Sequence, residues 1–63
     1  MNIRAEKVTI TYAFVEFLGV DYQVYTDGSV EVWNDHCEAF INCETNDPHY
    51  DTVREAGLCC LAE

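Results

Sequence analysis

The stretch Asp21–Trp33, DYQVYTDGSVEVW, constrains this chain more than any other. Alternating β-branched, aromatic and polar residues flank Asp27-Gly28, the strongest short-range signal for a β-hairpin. Two registers compete. A two-residue Asp27-Gly28 turn would set Val24 opposite Glu31 and Gln23 opposite Val32, mixing charge with apolar groups on both faces. A three-residue loop, Thr26-Asp27-Gly28, with Gly28 left-handed as a bulge, sets Tyr22 opposite Val32 and Val24 opposite Val30. Tyr22, Val24, Val30 and Val32 then share one face. Asp21, Gln23, Tyr25, Ser29, Glu31 and Trp33 share the other. A one-residue slip flips every side chain, so the bulged loop that gathers the valines is the expected one.

Upstream, residues 7–17 read KVTITYAFVEF. β-branched and aromatic residues dominate, which predicts a strand rather than a helix. Val8, Ile10, Tyr12 and Phe14 form one row; Thr9, Thr11, Ala13, Val15 and Phe17 form the other. A three-residue turn at Leu18-Gly19-Val20 would set Phe14 opposite Val24 and Tyr12 opposite Thr26. That register puts the Val8 row on the face of the hairpin valines and completes a three-stranded antiparallel meander.

After Trp33 the period changes. Asn34 or Asp35 can cap a short helix carrying Cys37, Phe40 and Ile41 at helical spacing, with Glu38 and Glu44 turned away. The segment AFIN, residues 39–42, reads alternatively as a fourth strand, because short apolar runs are ambiguous. Asn46-Asp47-Pro48 is a helix start: a capping Asp, then Pro at the first helical position. Asp51 adds a carboxylate in the first turn, where the helix dipole favours it. Tyr50, Val53, Gly57 and Leu61 make an inward stripe, flanked by Leu58 and Cys60. Gly57 either ends this helix or packs tightly against the sheet. The expected fold class is α+β: a three-stranded antiparallel β-meander with two short C-terminal helices packed on one face.

The 63 residues make one domain, short enough to be marginal without a partner, a metal or disulfides. Twelve Asp and Glu face three Lys and Arg, a net charge of −9 at pH 7. Such self-repulsion costs stability and disfavours direct contact with nucleic acid or an anionic membrane. It favours a basic partner, such as a protein groove that normally holds nucleic acid. The opening MNIRAEKVTITYAF lacks the apolar run and small-residue cleavage site of a signal peptide, and no stretch approaches a membrane span. The expected location is cytoplasmic, with reduced thiols.

Cys37, Cys43, Cys59 and Cys60 do not show zinc spacing, in which paired ligands stand two to four residues apart. One pair here is six apart and the other adjacent, and His36 and His49 do not repair the pattern. No metal or cofactor is expected, and small buried thiols are the default reading. A disulfide joining Cys37 or Cys43 to Cys59 or Cys60 needs geometry that sequence does not supply. No nucleophile elbow, phosphate loop or paired-metal carboxylate set is present. Catalysis is therefore not expected.

The outer face of the meander is the first candidate surface. In the registers above it holds Ala13, Val15, Phe17, Asp21, Gln23, Tyr25, Glu31 and Trp33. Tyr and Trp are favoured interface anchors, although Tyr25 and Trp33 can equally shield the sheet as cross-strand packing. Acid supplies the second candidate. From Glu16 to Glu63 eleven carboxylates face only Arg54. Alternate strand residues lie about 6.5–7 Å apart, and helix carboxylates four apart, such as Asp51 and Glu55, about 5–6 Å. Both spacings are comparable to those of successive phosphates. The bland alternative is a solvated acidic surface that serves solubility.

In format the whole chain resembles small phage-encoded anti-CRISPR proteins of the acidic DNA-mimic kind: short, strongly acidic, free of catalytic motifs, with aromatics beside carboxylates. The resemblance implies an inhibitor that binds a subunit of a CRISPR surveillance complex and blocks target DNA recognition. Under it Asp21, Glu31, Asp35, Glu38, Asp47, Asp51 and Glu55 would stand in for phosphates, and Tyr25 and Trp33 would anchor. Two other classes compete: a cysteine-based metal or redox module, and a phage accessory homodimer using the outer sheet face. The expected state is monomer or homodimer.

Overall fold

The computed structural model describes residues 2–63. Five strands, β1 (Ile3–Lys7), β2 (Tyr12–Phe17), β3 (Val20–Tyr25), β4 (Val30–Asn34) and β5 (Ala39–Asn42), precede one helix, α1 (Tyr50–Leu61). The strands form one antiparallel sheet in chain order. The class is α+β. Five strands replace the expected three, and one helix replaces two.

The β3–β4 hairpin adopts the bulged register. Tyr22 pairs with Val32 and Val24 with Val30. Tyr25 N–H donates to Ser29 O at 2.9 Å and Gly28 N–H to Tyr25 O at 2.9 Å. Gly28 has φ +90°, which only glycine adopts freely. Asp27 Oδ1 accepts from both Ser29 N–H (2.9 Å) and Ser29 Oγ–H (2.7 Å), closing the loop on itself.

The turn before it departs from expectation. It has two residues, Leu18-Gly19, and it pairs Phe17 with Val20 and Phe14 with Gln23. Both turn residues have positive φ, 52° and 78°, the left-handed pair that matches strand twist in tight hairpins. One residue fewer in the loop reverses the sides of β2. Ala13, Val15 and Phe17 are buried in the core, and Tyr12 and Phe14 lie on the outer face. The row of Tyr12 and Phe14 continues into Glu16, which the expected register would have buried, whereas the row Ala13, Val15, Phe17 is wholly apolar. Val8 and Ile10 join no core row; they sit exposed in the β1–β2 connection.

Strand β1, IRAEK, carries residues common in helices and little β signal. Pairing with β2 from Ile3↔Phe17 to Lys7↔Ala13 overrides that preference. The helix expected around Cys37–Ile41 is absent. Asn34 does cap, but it caps a turn: its Oδ1 accepts from Cys37 N–H at 2.9 Å. The chain then returns as β5, the strand reading of AFIN, with Val32 against Ile41 and Trp33 against Phe40.

At the last start signal, Asp47 Oδ1 accepts from His49 N–H at 2.8 Å and Asp47 O from Tyr50 N–H at 3.0 Å. This turn leads into α1, whose regular part begins at Tyr50, two residues later than the Pro48 signal implies. Asp51 occupies the first helical turn as expected.

The helix packs over β1, β2 and β3. Between helix and sheet lie Val15, Phe17, Tyr22, Val24, Val30, Cys43 and the helix's own Val53, with Val20 and Val32 of the sheet and Tyr50 and Leu58 of the helix at the margin. Gly57 sets the approach, because a Cβ there would run into the Val24 side chain. Arg54 Nε–H donates to Gly28 O at 2.9 Å and ties the helix to the hairpin tip.

Two stability measurements check this account. Gly57→Ala should destabilise by about 1–3 kcal/mol in urea unfolding, since overpacking outweighs the gain in helix propensity of about 1 kcal/mol; an increase in stability would contradict the close contact. Leu18→Asn should stabilise by about 0.5–1 kcal/mol, because Asn tolerates the left-handed region better than Leu; a loss would contradict the two-residue turn.

Candidate functional site

The face opposite the helix carries the chemistry-bearing side chains. Side chains alternate along each strand, so the observed registers place Tyr12, Phe14 and Glu16 from β2 beside Asp21, Gln23 and Tyr25 from β3. Glu31 and Trp33 from β4 and Phe40 and Asn42 from β5 continue the surface, with Arg4 and Glu6 of β1 at its far side. Tyr12 and Tyr25 stack with ring centroids 5.5 Å apart and planes at 32°. Trp33 meets Phe40 edge-on at 5.3 Å and 71°. Trp33 remains 38% exposed, enough to offer its ring to a partner.

Polar contacts hold the aromatic rings in place. Trp33 Nε1–H donates to Asp35 Oδ1 at 2.8 Å, which draws the carboxylate beside the indole. Tyr25 Oη lies 2.8 Å from Glu31 Oε1 and 2.9 Å from Gln23 Oε1. A phenol has one proton, and the charged acceptor, Glu31, takes the stronger bond. Burial first, then the Glu31 hydrogen bond and charge, with Tyr12 a further contribution, push the Tyr25 phenol up to about 12.

Few cations answer the acids. Among the described residues the one ion pair is Arg4 Nη2 with Glu16 Oε1, at 3.0 Å. Lys7 Nζ donates to Glu63 O and Arg54 Nε–H to Gly28 O, both main-chain oxygens rather than carboxylate side chains. Glu16 and Asp21 stand directly opposite each other, a like-charge pairing that costs stability in a sheet. Arg4 offsets it from one side.

The anticipated site residues divide into two groups. Asp21, Tyr25, Glu31 and Trp33 come together on the outer face. Asp35 and Glu38 belong to the β4–β5 turn at its edge, with Glu38 at φ 51°. Asp47 precedes the helix, and Asp51 and Glu55 are exposed on α1, in the opposite layer. No single face carries both sets. Ala13, Val15 and Phe17, expected outside, are core. Tyr12, Phe14, Glu16 and Phe40 replace them, and Glu16 was the signal that could have found this, since burying it unpaired would be costly.

A second cluster lies under the start of the helix. Tyr22 Oη sits 3.2 Å from His49 Nδ1, and Phe17 meets the His49 ring edge-on at 5.0 Å. Burial, followed by the charges of Asp47 and Glu44, pushes the nearby Cys43 thiol up. The thiol therefore stays protonated and acts as packing rather than as an activated nucleophile. All four cysteines are free; Cys37 and Cys59 are exposed. Among the described residues no three His, Cys, Asp or Glu side chains are grouped to hold a metal ion, and no helix is long and apolar enough to cross a membrane.

No protein-family model, curated protein or solved structure matches the chain.

The raised values of Tyr25, Tyr22 and Cys43 give a pH dependence with a definite sign. A group that binds its proton more tightly when folded contributes stability in full below its unfolded value, and that contribution is lost as pH rises. Urea stability should hold steady from about pH 6 to 8, then fall from the thiol range near 9 through the phenol range toward 12. Tyr25→Phe should lose about 1 kcal/mol at neutral pH with its hydrogen bond and flatten the upper part of the decline. Identical alkaline profiles for the two proteins would contradict the Tyr25–Glu31 contact.

Proposed function

We propose that this chain is an acidic binding protein that presents its open sheet face to the basic, nucleic-acid-binding groove of another protein and excludes the nucleic acid. The observation that carries the reading is the juxtaposition on one face of Tyr12, Phe14, Tyr25, Trp33 and Phe40 with Glu16, Asp21, Glu31 and rim Asp35. An open sheet face is ordinarily polar and solvated, whereas exposed aromatic patches on small proteins mark interaction sites. Aromatic anchors supply binding energy in a desolvated centre, and carboxylates at the rim steer the encounter and set specificity. A net charge of −9 selects a positive partner and disfavours nucleic acid itself.

The particular partner we put first is a subunit of a CRISPR surveillance complex, in the host cytoplasm, at the surface where target DNA is read. Support comes from the format of the chain and from Asp21, Glu31 and Asp35 on the sheet face and its rim, which form no ion pair among the described residues. The outer-face set Asp21, Tyr25, Glu31, Trp33 and Asp35 forms the contact under this reading. Asp47, Asp51 and Glu55, on the other layer, contribute long-range field rather than contact.

The test is competition. Purified surveillance complexes are incubated with the chain and with labelled target DNA at low and high salt. Loss of DNA binding, weakening as salt rises, is the expected outcome. Reversing Glu31 and Asp35 to Lys should lower inhibition at least tenfold while Asp51→Lys changes it little. Inhibition that ignores both salt and the outer-face reversals would refute the electrostatic mechanism; complexes that bind DNA normally at saturating inhibitor would remove the partner.

A further inference from the structure

The sheet has two free edges, and they differ in charge. Strand β5, Ala39–Asn42, has no Lys or Arg anywhere between Asp35 and Asp51 and is bracketed by Glu38 and Glu44. Two copies meeting there would bring their carboxylates together. Strand β1 is the reverse. It carries Arg4 and Lys7, two of the three cations in the chain, and all five of its residues are exposed.

The order of residues on β1 is self-complementary. Set antiparallel to itself about Ala5, Ile3-Arg4-Ala5-Glu6-Lys7 places Arg4 of one copy opposite Glu6 of the other, twice. Arg4 and Glu6 both point to the outer face, because they pair with Glu16 and Phe14 of β2. Ile3, Ala5 and Lys7 share the helix side. Lys7 of the second copy then lies opposite Ile3, which is 37% exposed. Ile3 borders a shallow depression with Thr52, Glu55, Ala56 and Cys59, so the incoming ammonium arrives where a carboxylate waits.

From this we infer that the protein forms a symmetric homodimer by antiparallel pairing of β1 with β1 of a second copy, centred on Ala5. Charged side chains on an edge strand normally prevent such pairing by setting like charges against each other. Here the antiparallel register sets opposite charges face to face, and cross-strand ion pairs of this kind stabilise a sheet. An isologous contact closes on itself and leaves no open chain of copies. The product is one continuous ten-stranded sheet, twice the five strands of the chain. Its helices lie on one side and two aromatic–acidic faces are joined on the other. The contact is small and opposed by the net charge, which places its dissociation constant on the order of micromolar or weaker. The inference stands independently of the function proposed above, since the face assigned to the partner stays open.

The test is sedimentation equilibrium of the full chain from about 5 µM to about 1 mM, a range that spans weak association. The expected mass rises toward twice the 7.2 kDa chain mass and stops there. Hydrogen exchange on the same samples should show β1 amides gaining protection with concentration while β5 amides do not. Glu6→Lys should weaken the dimer at least about tenfold. Adding Arg4→Glu to it should restore association, because the charges again oppose across the two-fold axis. A monomer at the highest concentration overturns the inference. So does a dimer indifferent to Glu6→Lys, a folded double variant that stays monomeric, or concentration-dependent protection at β5 instead of β1.

Discussion

The pairing of Phe17 with Val20 across Leu18-Gly19 decides which side of the sheet the helix covers. Everything about the interior and the surface depends on it. With this turn, Ala13, Val15 and Val24 are fully buried beneath α1, beside Phe17 and Tyr22. Gly57 can then bring the helix backbone against Val24. Tyr12 and Phe14 in those positions would hold the helix away and leave the contact unmade. Leu18 bears the conformational cost of the tight turn, in a left-handed backbone region that disfavours its side chain. Burial of an all-apolar row offsets that cost, since each fully buried aliphatic or aromatic side chain contributes about 1.5–3 kcal/mol.

The same parity that builds the core exposes the aromatics. The helix shelters one face of the sheet over β1, β2 and β3, and nothing among the described residues covers the other. Cross-strand contacts such as Tyr12–Tyr25 and Trp33–Phe40 make the open face self-supporting. Glu31, Gln23 and Asp35 hold the Tyr25 and Trp33 rings by their polar ends, which fixes ring orientation before any partner arrives. Such preorganisation reduces the entropy lost on binding. Among the described residues Glu31 and Asp35 beside these rings form no ion pair, so their field extends into solvent.

Charge distribution also separates the two ends of the sheet. The β1 edge gathers cations in a chain that has few, whereas the β5 edge has only acids around it. One edge can meet its own copy and the other repels it. Edge control of this kind acts through electrostatics rather than through a covering element.

Residues close together in the chain determined a good part of this protein. Thr26-Asp27-Gly28 set the β3–β4 register by turn chemistry and by the alternation of Tyr22, Val24, Val30 and Val32 around it. Asn46-Asp47-Pro48 and the stripe of Tyr50, Val53 and Gly57 located the helix, and composition dictated the acidic surface. Asp21, Tyr25, Glu31 and Trp33 were legible as outer-face residues because they belong to that hairpin. Only the tertiary structure decided the side of β2, the existence of β1 and the strand form of Ala39–Asn42. Leu18-Gly19 carries no strong local turn signal, IRAEK has little β preference of its own, and AFIN fits two periods. Each was settled by what the rest of the sheet and the helix needed to bury, a comparison between distant residues that no local pattern contains. For the same reason the acids of α1 parted from those of the sheet: their shared sign is a property of composition, but their separation belongs to a two-layer body.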